Sequence, residues 1–203
     1  RLRVKPYILG GFSHTSNLPK SSLCHDKNEQ IASPGAATCN GSNVGIEVIK
    51  YRVTPSLTMD LTANTDFAQT AVDDQQVNLD RFPLFFPEKR EFFQEGAGVY
   101  EFGTSTGESG TLLKLFHSRQ IGLSHGQPVP IIGGGRITGR IAGLTVGLLD
   151  VQTEPVGRLG VPASNYGVMR VKRDVLARSS VGGFFINRET GTADFNRVFG
   201  GDA

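Results

Sequence analysis

The stretch Ser56-Leu-Thr-Met-Asp-Leu-Thr-Ala-Asn64 alternates without a break between polar and apolar side chains. A period of two places alternate side chains on opposite faces of a β-strand, so this stretch predicts a strand with one apolar face. Comparable alternation predicts further strands at residues 1–8, 43–53, 129–141, 143–153, 165–174, 180–188 and 194–199. The chain is therefore predicted to be all-β.

The connections between these strands alternate between long and short. Residues 13–42 and 65–110 are long, whereas residues 54–56, a hairpin at Ala142 and residues 175–179 are short. Strands of about ten residues joined in this way are typical of outer-membrane barrels, whose loops are long on one side only. We predict an antiparallel meander that forms part of a transmembrane β-barrel, with residues 13–42 as an external loop. A soluble β-sandwich also alternates, with its apolar face inward, and remains the alternative.

Residues 65–110 interrupt this alternation with sequence that has neither a helical nor a strand period. Their centre reads Phe82-Pro-Leu-Phe-Phe-Pro-Glu-Lys-Arg-Glu-Phe-Phe-Gln-Glu-Gly96. Proline before acidic residues, with glycine after them, predicts a short helix at residues 88–95. A dense, non-periodic segment in a β protein usually fills or gates a space, so we predict a plug-like insert. Its predicted anchors are Phe82, Phe85, Phe86, Phe92 and Phe93.

Charge is distributed unevenly between this insert and the rest of the chain. Residues 60–95 contain eight acidic and three basic side chains, a net charge of −5, which leaves +7 for the remainder of a chain whose total is +2. Opposite charges attract most strongly where water is partly excluded, so the acidic insert is predicted to sit against a basic barrel wall. The predicted ion network contains Asp66, Asp73, Asp74, Glu88, Lys89, Arg90, Glu95 and Arg119.

The same alternation assigns side chains to the two surfaces of the predicted barrel. Bases predicted to face the lumen are Arg1, Arg3, Lys5, Arg136, Arg140, Arg170 and Lys172. Residues predicted to face lipid are Leu57, Met59, Leu61, Leu144, Val146 and Leu148. Because both ends of the chain have strand-like sequence, residues 1–203 are expected to be one partial barrel domain, a fragment of a larger barrel.

The acidic side chains of the insert are also candidates for catalysis. Glycosidases use two carboxylates about 5–10 Å apart, but eight acids in so short a segment make some close pair inevitable. We therefore assign no catalytic residue and favour structural pairing; an enzyme activity, if present, would be of the glycoside hydrolase type. Asp60, Asn64 and Asp66 offer oxygen ligands for Ca²⁺, yet the spacing of a regular Ca²⁺ loop is missing.

Cys24 and Cys39 lie in one polar stretch and are a candidate disulfide in an oxidising compartment, with two free thiols as the alternative. A metal site at Cys24, His25 and Cys39 would lack the usual CxxC spacing. No cofactor and no metal are therefore predicted. The net charge of +2 is too small to indicate a nucleic-acid partner.

Four motifs occur in order along the chain: Asp60-Leu-Thr-Ala-Asn-Thr-Asp-Phe-Ala-Gln69, Gln76-Val-Asn-Leu79, Phe85-Phe-Pro-Glu-Lys-Arg-Glu-Phe-Phe-Gln-Glu-Gly96 and Ser118-Arg-Gln-Ile-Gly122. Together they resemble an uncharacterised bacterial outer-membrane β-barrel family, catalogued as domain of unknown function 5916. In that family a carbohydrate-binding-family-9-like domain usually precedes the barrel. The chain departs from the family pattern at residues 70–74 and at Gln120, which interrupts a pair of arginines.

This resemblance implies a location in the bacterial outer membrane, with lipid as a partner and carbohydrate as a second partner through an upstream domain. It supplies no catalytic residue. The expected function is that of an outer-membrane β-barrel protein of unassigned specific role, in carbohydrate-associated transport, gating or surface presentation. The alternative is a carbohydrate-active hydrolase or a carbohydrate-binding β-sandwich module.

Overall fold

The computed structural model describes residues 2–16, 36–65, 87–102, 115–124, 127–157, 160–176, 179–191 and 194–203. Their strands are β1 (Leu2–Ser16), β2 (Ala36–Thr54), β3 (Leu57–Ala63), β4 (Leu123–Ser124), β5 (Gln127–Pro128), β6 (Ile131–Ile141), β7 (Leu144–Thr153), β8 (Ser164–Leu176), β9 (Ser179–Thr190) and β10 (Asp194–Asp202). The one α-helical turn described is α1 (Glu91–Gln94), followed by a 3-10 turn at Ala97–Tyr100 and a second at Ser118–Gln120.

Eight of these strands form one antiparallel sheet in the order β1-β2-β3-β6-β7-β8-β9-β10, and the short β4 and β5 pair separately. The all-β prediction is confirmed. Strand order follows chain order, so the sheet is a meander that the segment between β3 and β6 interrupts. Among the described residues, β1 and β10 each have a neighbour on one side only, and the sheet is not closed into a barrel.

Two predicted boundaries are wrong. The predicted loop at residues 13–42 is strand at both ends, because β1 continues to Ser16 and pairs there with Ala36 of β2. An antiparallel ladder needs only backbone hydrogen bonds, so it continues through polar residues that show no apolar alternation. The predicted helix at residues 88–95 shrinks to α1 because the Glu88 side chain accepts hydrogen bonds from the N–H groups of Lys89 and Arg90, at 3.1 and 3.0 Å.

The predicted hairpin at Ala142 is confirmed. Ile141 pairs with Leu144, and the two residues between them, Ala142 and Gly143, have φ angles of 50° and 77°. Positive φ at both central positions is the type I′ geometry that matches the twist of adjacent strands. The turn therefore joins β6 directly to β7.

One face of the sheet carries a continuous row of apolar side chains. Directly paired residues across all eight strands are Leu2, Tyr51, Met59, Ile137, Leu148, Met169, Phe185 and Phe199. We call this set the apolar row. Cross-strand partners point to the same side of a sheet, so the eight side chains form one band.

The opposite face, called here the insert face, carries the core and the charged side chains that contact the insert. Its central row contains Arg3, Lys50, Asp60, Arg136, Leu149, Val168, Ile186 and Val198. Phe92, Phe93 and Ile121 come from the segment between β3 and β6 and are buried in one cluster with Val48, Ile131, Leu149, Val151 and Val168. The described helices include none that is long and apolar enough to span a membrane.

Candidate functional site

The candidate site lies where the described parts of the segment between β3 and β6 pack against the insert face. This whole segment is called the insert from here on, because Ile121, beyond the predicted residues 65–110, joins the same buried cluster as Phe92 and Phe93. Three arginines organise it: Arg90 in the insert, Arg136 on β6 and Arg170 on β8. All three are buried, with 2% of each exposed. A buried guanidinium is costly unless a carboxylate and further acceptors surround it. Each of the three has a carboxylate partner and a nearby phenylalanine ring.

Arg90 joins two separate segments of the insert. Its Nε and Nη2 atoms each donate to one oxygen of Glu88, both at 2.8 Å. The same guanidinium donates to the backbone oxygens of Ile121 at 2.8 Å and Ser118 at 2.9 Å. Its carbon lies 4.2 Å from the centre of the Phe93 ring. Residues 88–93 and 118–121 are therefore held together by one side chain.

Glu88 is ionised in this arrangement. Its burial would raise the pKa, but the hydrogen bonds and charge of Arg90, with a hydrogen bond from Ser118, lower the pKa below its usual value. The Ser118 hydroxyl donates to Glu88 Oε2 at 2.8 Å. A glycosidase general acid needs a raised pKa instead, so Glu88 does not suit that role.

Arg136 connects the sheet to the insert. It lies opposite Asp60 of β3 in the register, and its Nε donates to Asp60 Oδ2 at 3.2 Å while Nη2 contacts the same oxygen. Its Nη1 donates to the backbone oxygen of Glu95, and its guanidinium carbon lies 5.4 Å from the Phe92 ring centre. The second carboxylate oxygen of Asp60 is buried and has no hydrogen-bond partner among the described groups.

Arg170 joins β8 to β10 across the intervening strand. Its Nη1 and Nη2 donate to the two oxygens of Asp202, both at 2.6 Å. The guanidinium passes Gly182 of β9, where an added Cβ would lie 2.8 Å from Nη1. Phe102 of the insert packs near this guanidinium, with 5.5 Å to its ring centre, and edge-on against Phe184 at 4.5 Å.

Partly exposed contacts tether the insert at its edges. Lys5 Nζ lies 2.6 Å from Glu91 and 2.8 Å from Glu47, and Lys50 contacts Glu95. The hydrogen bond from Lys5 is the main cause of a lowered pKa at Glu91. Tyr100 donates to the Leu148 backbone oxygen at 2.9 Å, and burial raises the pKa of its phenol, which keeps it a donor. Such pairs contribute less than the buried arginines do.

The predicted site residues divide into described and undescribed groups. Lying outside the described residues are Asp66, Asp73, Asp74, Phe82, Phe85, Phe86, Cys24 and the side chain of Cys39. Among the described residues, Phe92 and Phe93 are buried and Lys89 is half-buried. Arg119 is also buried, and it directly follows Ser118, a hydrogen-bond partner of Arg90. Sequence reasoning missed the Asp60–Arg136 and Arg170–Asp202 pairs, because both depend on strand register.

The described geometry gives no support to a Ca²⁺ site or another metal site at these residues. Of the proposed Ca²⁺ ligands, Asp60 pairs with Arg136 and Asn64 donates to the Val44 backbone oxygen at 2.6 Å. Within the part of the chain that the structure describes, no group of three His, Cys, Asp or Glu side chains could hold a metal ion. The residues present therefore form a docking network for the insert.

A family model described as "Domain of unknown function (DUF5916)" matches residues 4–132. The chain belongs to this family. The matched residues include all four motifs, the Arg90 cluster and Asp60. No curated protein and no solved structure matches the chain. The match to DUF5916 thus covers β1 to β3 and the segment between β3 and β6, whereas Arg136 and Arg170 lie beyond it, and it assigns no activity.

Proposed function

We propose that this DUF5916 chain forms part of a bacterial outer-membrane β-barrel, in which the apolar row faces lipid and the insert fills the lumen side as a plug. The observation that carries the proposal is the apolar row, which crosses all eight strands without interruption by a charged residue. The proposed role is gating, transport or surface presentation of carbohydrate-linked material. The carbohydrate association rests on the family resemblance of the four motifs.

Exposure of the apolar row supports contact with lipid. Leu2, Met169 and Phe199 are 66%, 43% and 79% exposed. A sheet with one face in water normally presents polar side chains there, and large exposed apolar patches mark binding to membrane or protein. The strands from β6 to β10 are 9 to 13 residues long, which suits tilted strands that cross a bilayer.

The position of the insert supports a plug. Barrel interiors are polar, and plugs in them pack against lumen-facing side chains. Here the insert packs on the insert face, through the Glu95 backbone oxygen to Arg136 and through its glutamates to Lys5 and Lys50. A β-sandwich would instead require a second layer over the apolar row, whereas the packed layer in the described residues lies on the other face.

The same substitution at two depths of this face tests the placement. Met169→Arg at the middle of the apolar row should destabilise the folded protein in lipid vesicles by about 2–4 kcal/mol, because it places a charge in the hydrocarbon core. Phe195→Arg, on the same face near the end of β10, should cost at most about 1 kcal/mol, as expected close to the interface. Urea unfolding of the natural full-length protein in vesicles measures both values.

The alternative architectures give different results. If the row faced water, Met169→Arg would have a negligible cost and the protein would fold without lipid or detergent. If a second sheet covered the row, Met169→Arg would destabilise the protein equally in aqueous buffer. Either result would exclude the proposed lipid contact.

A further inference from the structure

A concavity lies on the insert face, where the insert meets the start of β8 and the end of β9. This rim pocket has a volume of about 210 Å³, and its lining includes Leu123, Pro162, Ser164, Tyr166, Arg188 and Thr190. Leu123 belongs to the insert, whereas Tyr166, Arg188 and Thr190 belong to the sheet. The docking network described above uses none of these side chains.

Arg188 gives the rim pocket a positive charge. Within the described residues, no acidic side chain lines the pocket and no carboxylate pairs with Arg188. The side chain is nevertheless positioned, because Tyr166 lies opposite it in the register and its ring centre is 5.6 Å from the guanidinium carbon. A guanidinium held against an aromatic ring keeps its donor fork available for a planar anion.

Hydroxyl groups supply further donors at the same place. Ser164 Oγ lies 3.2 Å from Thr190 Oγ1 and 3.5 Å from the Pro162 carbonyl oxygen. Donation of its single proton along the shorter contact leaves the Thr190 proton available. Thr153 Oγ1 is already used, since it donates to the Ser164 carbonyl and accepts from the Ser164 N–H, both at 3.1 Å. No hydrogen bond to the Tyr166 hydroxyl is formed by the described groups. The pocket thus combines one cation with the hydroxyls of Tyr166 and Thr190, which remain able to bond a ligand.

We propose that the rim pocket binds a small hydroxylated carboxylate, the size of a single uronic acid. Arg188 binds the carboxylate, and the Thr190 and Tyr166 hydroxyls bond to ligand hydroxyls. The volume is below the range of about 300–1,000 Å³ that drug-sized ligands occupy, which limits the ligand to one ring. Because the pocket is lined from both sides, the ligand contacts insert and sheet together. The proposal does not depend on placement in a membrane.

Isothermal titration of glucuronate into the natural full-length protein tests the proposal. We expect saturable binding that Arg188→Gln weakens at least about tenfold, as for loss of a hydrogen-bonded charge. Tyr166→Phe removes one hydroxyl and should weaken binding by a smaller factor. The matched control is Arg197→Gln, which removes a neighbouring arginine that pairs with Glu189 at 2.9 Å on the other face, and should leave the affinity unchanged within twofold.

Glucose and inorganic phosphate complete the experiment. Glucose lacks the carboxylate and should bind at least about tenfold more weakly than glucuronate; phosphate should compete only weakly, because it lacks the ring hydroxyls. The proposal is overturned if glucuronate does not bind at millimolar concentration, if Arg188→Gln and Arg197→Gln behave alike, or if glucose or phosphate binds as tightly. Circular dichroism of each variant verifies that the sheet remains folded.

Discussion

Arg136→Ala should lower the free energy of unfolding by about 3–5 kcal/mol, one of the two largest losses expected from a single substitution in this chain. The substitution leaves the Asp60 carboxylate buried, 1% exposed, without its cation. It also removes the donor to the Glu95 backbone oxygen, so the insert loses a direct bond to β6. Urea unfolding of the natural full-length protein in vesicles or detergent measures the change.

Two further variants separate this effect from general damage to β6. Arg140→Ala lies four residues along the same strand and breaks an exposed pair with Asp174, 68% and 60% exposed, so it should cost less than about 1 kcal/mol. The double variant Asp60→Leu with Arg136→Met removes both charges and should recover most of the stability. If Arg136→Ala and Arg140→Ala cost the same, the buried pair is not what holds the insert.

Phe92→Ala should destabilise the docked insert by about 3–5 kcal/mol, because the side chain is fully buried and its removal leaves a cavity. Phe92 packs edge-on against Phe93 at 4.9 Å and lies beside the Arg136 guanidinium. Loss of this contact should release the insert before the sheet unfolds. Trypsin cleavage after Lys89 and Arg90 should then become faster, since Arg90 is buried in the docked state.

The control for this variant is Phe195→Ala, the same truncation at a side chain that is 65% exposed on β10. It should leave trypsin cleavage at Lys89 and Arg90 unchanged. If the insert is a plug, the conductance in planar bilayers should be higher for Phe92→Ala than for Phe195→Ala. Equal conductance with faster cleavage would mean that the insert is released without opening a path.

The fold was predictable wherever a single strand shows alternation of polar and apolar residues. Alternation in β3 places Met59 and Leu61 on one face and Asp60 on the other, and alternation in β6 to β9 does the same for the remaining strands. Side-chain periodicity within a strand does not depend on the partner strand. The all-β architecture and the tight hairpin at Ala142 could therefore be predicted from local sequence. Phe92 and Phe93 stood out as anchors because their run has no strand period.

The site was less predictable because its pairs join distant segments. Asp60 and Arg136 become neighbours only when β3 pairs with β6 across the whole insert. Arg170 reaches Asp202 over Gly182, which depends on the register of three strands. The helix was predicted to be longer than it is, because the Glu88 side chain accepts hydrogen bonds from the neighbouring backbone N–H groups. Composition gives no register, and a local side-chain bond can replace a helical turn.

Spin labels along β8 distinguish a lipid-facing apolar row from one that faces water or a second protein layer. Single cysteines at Val168, Met169, Val171 and Lys172, in a protein with Cys24 and Cys39 replaced by serine, sample both faces of one strand. In lipid vesicles we expect spin labels at Met169 and Val171 to be accessible to oxygen but not to a water-soluble nickel complex. A label at Val168, beneath the insert, should be protected from both reagents. Free access of the nickel complex to Met169 and Val171, or protection of all four positions from both reagents, would contradict the proposed lipid contact.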